Sequence, residues 1–239
     1  MITDWRSKFD LPDLSFFFVQ LAPVSPATIS PVISRVRSSD AYRCCQQYFQ
    51  RRDFTAVRNA QMAALKLPNT GYAVAIDLGD IHSPVTPIHP RRKQEVGRRL
   101  ALSALSVQYG QSVVSTGPVF ASITATAGTA TVSYKPGTAS GLHHAGTADC
   151  DQIGSRLCCG ESPFAVLLAN STWERAEYRI QAEQVVLTLP ADAARPLATR
   201  YAWEAWPQCS LYNGAGGPDN HTGIAATPWC WNRTAPCPY

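Results

Sequence analysis

The chain has 239 residues, of which 45% are hydrophobic and 16% are charged. The hydrophobic share is sufficient for a packed core and excludes wholesale disorder, and the length fits one large domain or two small ones. The net charge of +4 is too small to indicate nucleic-acid binding. No apolar run approaches the roughly 18–20 residues of a membrane span, and the amino-terminal residues lack the apolar core of a secretory signal.

The first half of the chain alternates strand and helix patterns. Continuous apolar runs predict buried strands over residues 16–21 and 72–76. Apolar residues at spacings of three and four predict a helix from about residue 42 to 67, and a second helix that takes Pro90 into its first turn and stops at Gly110. Strands and helices in this order predict a parallel sheet with right-handed crossovers.

The second half changes character near residue 117, where Thr, Ser and Val become frequent. A turn at Gly128 is expected to divide residues 121–134 into two strands. Further short strands are predicted at residues 164–169, 176–180, 185–189 and 201–203. Their spacing predicts an antiparallel sandwich, whereas the Gly- and Pro-rich tail after Trp206 is predicted to be irregular.

Eight cysteines and three Asn-x-Ser/Thr sequons, at Asn170, Asn220 and Asn232, indicate an oxidising, secretory compartment. An even number of cysteines on turn-rich segments favours disulfides, although eight cysteines allow about 105 pairings. The adjacent pairs Cys44–Cys45 and Cys158–Cys159 lack the spacing of two to four residues that is typical of zinc ligands, so we expect no metal site. A chain made for this compartment without a signal is expected to lack its beginning.

The loop between the second strand and the second long helix carries the candidate chemistry. It contains Asp77, Asp80, His82 and His89. Ligands of open α/β sheets bind beyond the carboxyl ends of the strands, where this loop begins. A histidine accepts a proton near neutral pH, and a carboxylate can hold its tautomer. The alternative is that these residues only shape a turn and a helix start.

Motifs in this loop and elsewhere resemble one family in chain order. Asp77–Asp80 reads Asp-Leu-Gly-Asp, and Ile88–Gln94 reads Ile-His-Pro-Arg-Arg-Lys-Gln. Both are similar to the histidine block of the sialate O-acetylesterases and related carbohydrate acetylesterases of the SGNH hydrolase class. Other blocks that resemble the family are Asp4–Arg6 with Phe17–Ala22, Arg58–Gln61 with Leu67–Thr70, and Arg200–Pro207 with Leu211–Asn213. Together they extend from residue 4 to about residue 218.

The resemblance implies a fold class and a domain division. The expected class is α/β, with part of an SGNH-type parallel sheet and its flanking helices over residues 1–116. A small β-rich, sandwich-like domain that contains disulfides is expected over residues 117–239. It carries six of the eight cysteines and all three sequons.

The resemblance also implies a reaction. A serine would attack an O-acetyl ester of sialic acid or a related sugar, and an acyl-enzyme would then be hydrolysed without a metal or organic cofactor. His89 would be the general base, with Asp80 as the first choice and Asp77 as the second choice for the carboxylate that orients it. The expected partner is thus an acetylated sugar, and neither a nucleic acid nor a membrane span is expected.

Two departures from the family pattern affect these assignments. Thr86 stands where many SGNH enzymes have an Asp three residues before the His, so either the loop folds Asp80 back beside His89 or the site is a Ser–His dyad. The family's Gly-Gln-Ser nucleophile block lies well upstream, whereas Gly110–Ser112 follows the histidine block, so we interpret Ser112 as a coincidence. We therefore expect the chain to be the carboxy-terminal part of a longer lysosomal or extracellular enzyme, with an unknown nucleophile and little activity alone.

The alternative is a non-catalytic member of the same family, a secreted carbohydrate-binding or structural remnant. Trp203, Trp206, Trp229 and Trp231 could stack on sugar rings, although core packing also accounts for them. The basic residues 91–93 and 98–99 are interpreted as a solvated helix face rather than as a nucleic-acid site.

Overall fold

A computed structural model describes residues 1–23, 54–80, 83–84, 89–146, 162–190, 196–207, 209–214 and 223–233. The amino-terminal part of the helix predicted from residue 42, His82, Thr86 and the sequon at Asn220 lie outside these ranges. So do six cysteines, whereas Cys209 and Cys230 are described and each is disulfide-bonded. None of the helices within the described ranges is long and apolar enough to cross a membrane.

The first part of the chain forms two parallel strands with helices around them. Its elements are α1 (Ile2–Lys8), β1 (Phe16–Gln20), α2 (Phe54–Gln61), a 3-10 helix (Met62–Lys66), β2 (Thr70–Val74) and α3 (Lys93–Val107). Strands β1 and β2 pair in parallel from Phe16 opposite Thr70 to Gln20 opposite Val74. Both predicted strands are confirmed, with ends that differ by one or two residues.

Helix α3 lies close to β2 because Gly71 has no side chain. A Cβ on Gly71 would lie 2.3 Å from Ser103 Oγ and 2.9 Å from the Phe17 ring. The predicted start of α3 at Pro90 is wrong, since the helix begins at Lys93. The reason is local: the Arg91 backbone N–H donates to the Asp80 carboxylate at 3.1 Å, which holds this residue in the loop.

The second part is built from short antiparallel strands. They are β3 (Phe120–Thr126), β4 (Thr129–Tyr134), β5 (His143–Gly146), β6 (Phe164–Leu167), β7 (Trp173–Arg175), β8 (Tyr178–Gln181), β9 (Gln184–Thr188), β10 (Ala198–Tyr201), β11 (Cys209–Tyr212) and β12 (Trp229–Asn232). Two four-stranded sheets have the orders β3-β4-β9-β8 and β12-β10-β6-β7, and β5 pairs with β11. The predicted turn at Gly128 is confirmed, with a φ of 76° that suits glycine.

Side chains from both four-stranded sheets share one core. Val132 and Leu187 from the first sheet, and Phe164, Val166 and Tyr201 from the second, are fully buried in the same cluster. Burial of this apolar surface is the main favourable term that holds the two sheets in the fold.

The prediction of an irregular tail after Trp206 is wrong. Strand β11 is buried at all four positions and pairs with β5, and β12 pairs with β10. Trp229 anchors β12, since its ring stacks on Phe120 with 4.3 Å between the centroids. Tertiary packing therefore overrides the Gly and Pro content of this segment.

The tail also returns to the first part of the chain. The Tyr72 hydroxyl lies 2.7 Å from Thr227 Oγ1, and Tyr212 and Ala225 pack in one cluster with Val74 and its neighbours on β2. These contacts cross the domain boundary expected at residue 116, which itself stays a prediction.

Candidate active site at the carboxyl ends of the parallel strands

Three segments of the chain meet beyond the carboxyl ends of β1 and β2, namely residues 21–23, 77–80 and 203–207. Because the two strands are parallel and in register, the residues that follow them lie side by side. The third segment contributes Trp206, whose ring covers Gly79: a Cβ on Gly79 would lie 2.6 Å from that ring and 2.7 Å from Pro23. Glycine is therefore required at position 79 for this close approach.

Arg58 joins two of these segments from within the protein. Its side chain is buried, with 1% of the residue exposed, and the guanidinium donates to backbone carbonyls on both sides. The accepting oxygens are those of Leu21 at 2.9 Å, Ala22 at 3.1 Å, Glu204 at 2.8 Å and Ala205 at 3.0 Å. A guanidinium has five N–H donors in a rigid plane, so one residue can fix both the end of β1 and the 203–207 segment.

Asp77 is held in a buried ion pair. The Arg99 guanidinium donates to both of its carboxylate oxygens at 2.7 Å, and the Tyr212 hydroxyl donates to Oδ2 at 3.2 Å. Arg99 also donates to Glu95 Oε1 at 2.7 Å. Burial alone would lower the pKa of Arg99, but the Asp77 and Glu95 carboxylates outweigh it and raise that pKa. Burial and the nearby Asp77 charge also raise the pKa of the Tyr212 hydroxyl well above its usual range.

Asp80 is bound by Arg91 through three donors. Arg91 Nε lies 2.6 Å from Oδ2, Nη2 lies 3.0 Å from Oδ1, and the Arg91 backbone N–H donates to Oδ2. The Asp80 side chain is 3% exposed, whereas that of Arg91 is 61% exposed. The adjacent Arg92 donates to the Gly79 carbonyl at 2.7 Å, so two consecutive arginines hold the end of this turn.

His89 is exposed to solvent beside these pairs. Its carbonyl oxygen accepts a hydrogen bond from Ser83 Oγ at 2.7 Å, and the Ser83 N–H donates to the Asp80 carbonyl at 3.2 Å. Among the described residues, none forms a hydrogen bond with the His89 imidazole. The structure thus brings the backbone of His89 to the Asp80 turn but joins its ring to neither Asp77 nor Asp80. Ser112 is exposed and lies beyond the end of α3.

A scan against protein-family models found no match. Curated relatives match most of the chain: sialate O-acetylesterase from Mus musculus is 30% identical over 229 residues, and that from Homo sapiens is 30% identical over 233 residues. In both cases 89% of this chain is aligned, with 37% of the mouse protein and 38% of the human protein. This chain is a homologue of the sialate O-acetylesterases. It spans less than two fifths of the length of these relatives.

A solved structure supports the same relationship. A carbohydrate acetylesterase from Xanthomonas citri superimposes with a TM-score of 0.69 at 27% sequence identity, covering 97% of this chain and 44% of the other. The likeness therefore includes both the strands β1 and β2 and the antiparallel sheets of this acetylesterase homologue.

Sequence reasoning missed the roles of the arginines in this homologue. The basic residues 98–99 were predicted to lie on a solvated helix face, but Arg99 is 2% exposed, so that prediction is wrong for Arg99. The sequence does contain a signal for such ion pairs, because Asp77 and Asp80 lie at one end of the loop and arginines 91, 92, 98 and 99 follow its other end. Nothing in the local pattern says which cation meets which carboxylate.

The tryptophans proposed for sugar stacking lie in different surroundings. Trp229 is 7% exposed within the core, and Trp231 packs partly against the same cluster. Trp206 lies against Gly79. These contacts agree with the core-packing alternative for the three residues.

No group of three or more His, Cys, Asp or Glu side chains suited to a metal ion occurs in the described ranges.

Of the sequons, Asn170 is exposed in the turn between β6 and β7, where its Oδ1 accepts hydrogen bonds from the Thr172 N–H at 3.0 Å and from the Thr172 Oγ1 at 2.6 Å. Asn232 is half-buried on β12, opposite Ala198.

Proposed function

We propose that the protein acts as a carbohydrate esterase that hydrolyses O-acetyl esters of sialic acid or a related sugar, with His89 as the general base. The observation that carries this proposal is the position of His89. In a homologue of acetylesterases, an exposed imidazole follows Asp-Leu-Gly-Asp at the carboxyl edge of the parallel strands. This edge is where α/β sheets bind their ligands.

The proposed reaction is acyl transfer through a serine. The serine Oγ attacks the acetyl carbonyl carbon, and His89 accepts the hydroxyl proton and passes it to the sugar oxygen as the C–O bond breaks. Water then attacks the acetyl-enzyme with His89 again as the base, which releases acetate and the free serine. None of the described residues is assigned as this serine, and the mechanism requires no metal or organic cofactor.

The carboxylates act on His89 indirectly in this proposal. The oxygens of Asp77 and Asp80 accept hydrogen bonds from arginines, so the site works as a Ser–His pair held in place by its surroundings. Such a pair lacks the orienting carboxylate of a full triad, and its proton transfer depends on how firmly the histidine backbone is fixed.

The test is acetate release from O-acetylated sialic acid by the product of the complete gene. His89→Ala should lower kcat by about 100-fold or more, the range of general-base catalysis. His144→Ala is the matched control, because His144 is an exposed histidine on β5 whose Nδ1 lies 2.8 Å from the Tyr178 hydroxyl. Wild-type rates in His89→Ala would contradict the proposal. Binding of sialoglycans without any hydrolysis would favour the carbohydrate-binding alternative.

We also infer the finer features of the fold and location from the resemblance. Strands β1 and β2 would belong to an SGNH-type parallel sheet within residues 1–116, and residues 117–239 would form a sandwich-like domain with disulfides. The protein would pass through the secretory pathway to the lysosome or the cell exterior and carry N-linked glycans on its sequons. The exposed Asx turn at Asn170 supports that site in particular. Loss of one glycosidase-sensitive mobility step in Asn170→Gln would test it.

A further inference from the structure

The loop that carries His89 is tied at its two ends by a pair of residues that transfer no proton in the proposed reaction. Asp80 and Arg91 stand at either end, and they meet through two side-chain hydrogen bonds of 2.6 and 3.0 Å and one from the Arg91 backbone N–H. A planar guanidinium that meets a carboxylate in this forked geometry fixes direction as well as distance. We call Asp80 and Arg91 the clasp.

A second tie runs inside the clasp. Ser83 uses its N–H to bind the Asp80 carbonyl and its Oγ to bind the carbonyl of His89. His89 is therefore held on one side by Ser83 and, two residues later, by the clasp itself. The backbone of the histidine is fixed while its ring stays exposed.

The two residues of the clasp differ in burial, so Asp80 is its fixed end. Asp80 is buried next to Gly79, against which the Trp206 ring packs. Arg91 is mostly exposed and also sits on the segment that leads into α3. The carboxylate thus belongs to the buried turn that follows β2, and the arginine binds the far end of the loop to it.

We propose that Asp80 and Arg91 are positioning residues, which act by closing the loop so that His89 is presented in one place. This inference deepens the proposed function and rests on it for the role of His89. It differs from the family expectation, in which Asp80 would bind the imidazole directly. The three donors of Arg91 take up most of the acceptor capacity of one carboxylate.

The experiment compares Asp80→Asn, Arg91→Gln and the double variant with the wild-type chain by NMR. It records amide hydrogen exchange at Ser83 and Arg91, whose N–H groups donate to Asp80, and the His89 Cε1–H resonance. Both single variants should exchange about tenfold faster at these amides, because each opens the same local unit. Both should move the imidazole resonance alike, and the double variant should add little, as expected for two partners in one interaction.

The matched control is Arg98→Gln. Arg98 is also an arginine bound in a fork to a carboxylate, but its partner is Glu95 within α3. Its removal should leave the loop amides and the His89 resonance unchanged. If Asp80→Asn does not fold, Arg91→Lys takes its place, since it keeps the charge but loses the fork, and it should give an intermediate exchange rate.

Two results would overturn the proposal. A shift of the His89 resonance in Asp80→Asn with none in Arg91→Gln would show direct contact between Asp80 and the imidazole. A lower melting temperature with unchanged loop exchange in both variants would show a purely structural pair.

Kinetics on the gene product separate this inference from the proposed function. Arg91→Gln should lower kcat about tenfold with little change in KM, because positioning is used mainly in the transition state. Wild-type kcat in Arg91→Gln together with faster loop exchange would overturn the positioning role. Full activity in His89→Ala would instead remove the proposed function, and the exchange data would still decide whether the clasp closes the loop.

Discussion

Asp77 and Asp80 follow the same strand, and each binds an arginine through both oxygens, yet their surroundings differ. In the Asp77–Arg99 pair both side chains are buried, at 5% and 3% exposure. The Tyr212 hydroxyl, from the carboxy-terminal part of the chain, donates a hydrogen bond to the Asp77 carboxylate. In the clasp only the Asp80 side chain is buried. We call Asp77 and Arg99 the deep pair. It joins β2, α3 and the tail, whereas the clasp closes a single loop. The same forked contact thus stabilises the fold in one place and a local segment in the other.

The largest effect is expected from breaking the deep pair. Arg99→Met leaves the Asp77 carboxylate buried without its cation and should lower the free energy of unfolding by about 3–5 kcal/mol. Urea denaturation measures this loss. The double variant Asp77→Asn with Arg99→Met should recover part of it, because no uncompensated charge remains. A loss below about 1 kcal/mol in Arg99→Met would mean that the pair is far less important than its burial indicates.

Opening the clasp should cost less. Arg91→Gln removes a mostly exposed arginine and should lower the free energy of unfolding by about 1–2 kcal/mol, since solvent screens one side of the pair. The same denaturation experiment at high salt should show a smaller difference between variant and wild type. A loss equal to that of Arg99→Met would erase the distinction between the two pairs.

Tyr212→Phe tests whether the tail contributes to the deep pair through its hydroxyl. The variant keeps the buried ring but removes the donor at 3.2 Å from Asp77, and it should destabilise the protein by about 1 kcal/mol. Tyr109→Phe is the control, because Tyr109 is 70% exposed. Equal melting temperatures for Tyr212→Phe and wild type would contradict a role for the hydroxyl.

The smallest effect concerns Glu95, the second carboxylate on Arg99. Burial alone would raise its pKa, but hydrogen bonds from Arg98 and Arg99 outweigh it and lower that pKa from its usual value near 4.5. The folded pKa is the lower one, so the stabilisation is present above pH 4.5 and is lost as the pH falls through the folded pKa. Between pH 3 and 7, the free energy of unfolding should fall less steeply with decreasing pH in Glu95→Gln than in the wild type. The same pH dependence in both proteins would mean that Glu95 does not contribute to acid sensitivity.

Local sequence patterns were sufficient for much of the fold. The apolar runs predicted β1 and β2, and the Thr- and Val-rich segment with Gly128 predicted the β3–β4 hairpin, because each of these signals acts between close neighbours. The tail was predicted wrongly for the opposite reason. Strands β11 and β12 form because they pair with the distant strands β5 and β10, and the composition of the tail does not reveal those partners.

By itself, the sequence predicted the alternation of β1 and β2 with helices, the β3–β4 hairpin and the motif that places His89 beyond β2. Its family resemblance was confirmed by the curated relatives. Only the tertiary structure decided what the two aspartates bind. Asp80 meets an arginine 11 residues away, Asp77 meets one 22 residues away, and the Tyr212 hydroxyl reaches Asp77 across 135 residues. A carboxylate accepts from whichever donors the fold brings within about 3 Å, and that competition is settled by packing rather than by spacing along the chain.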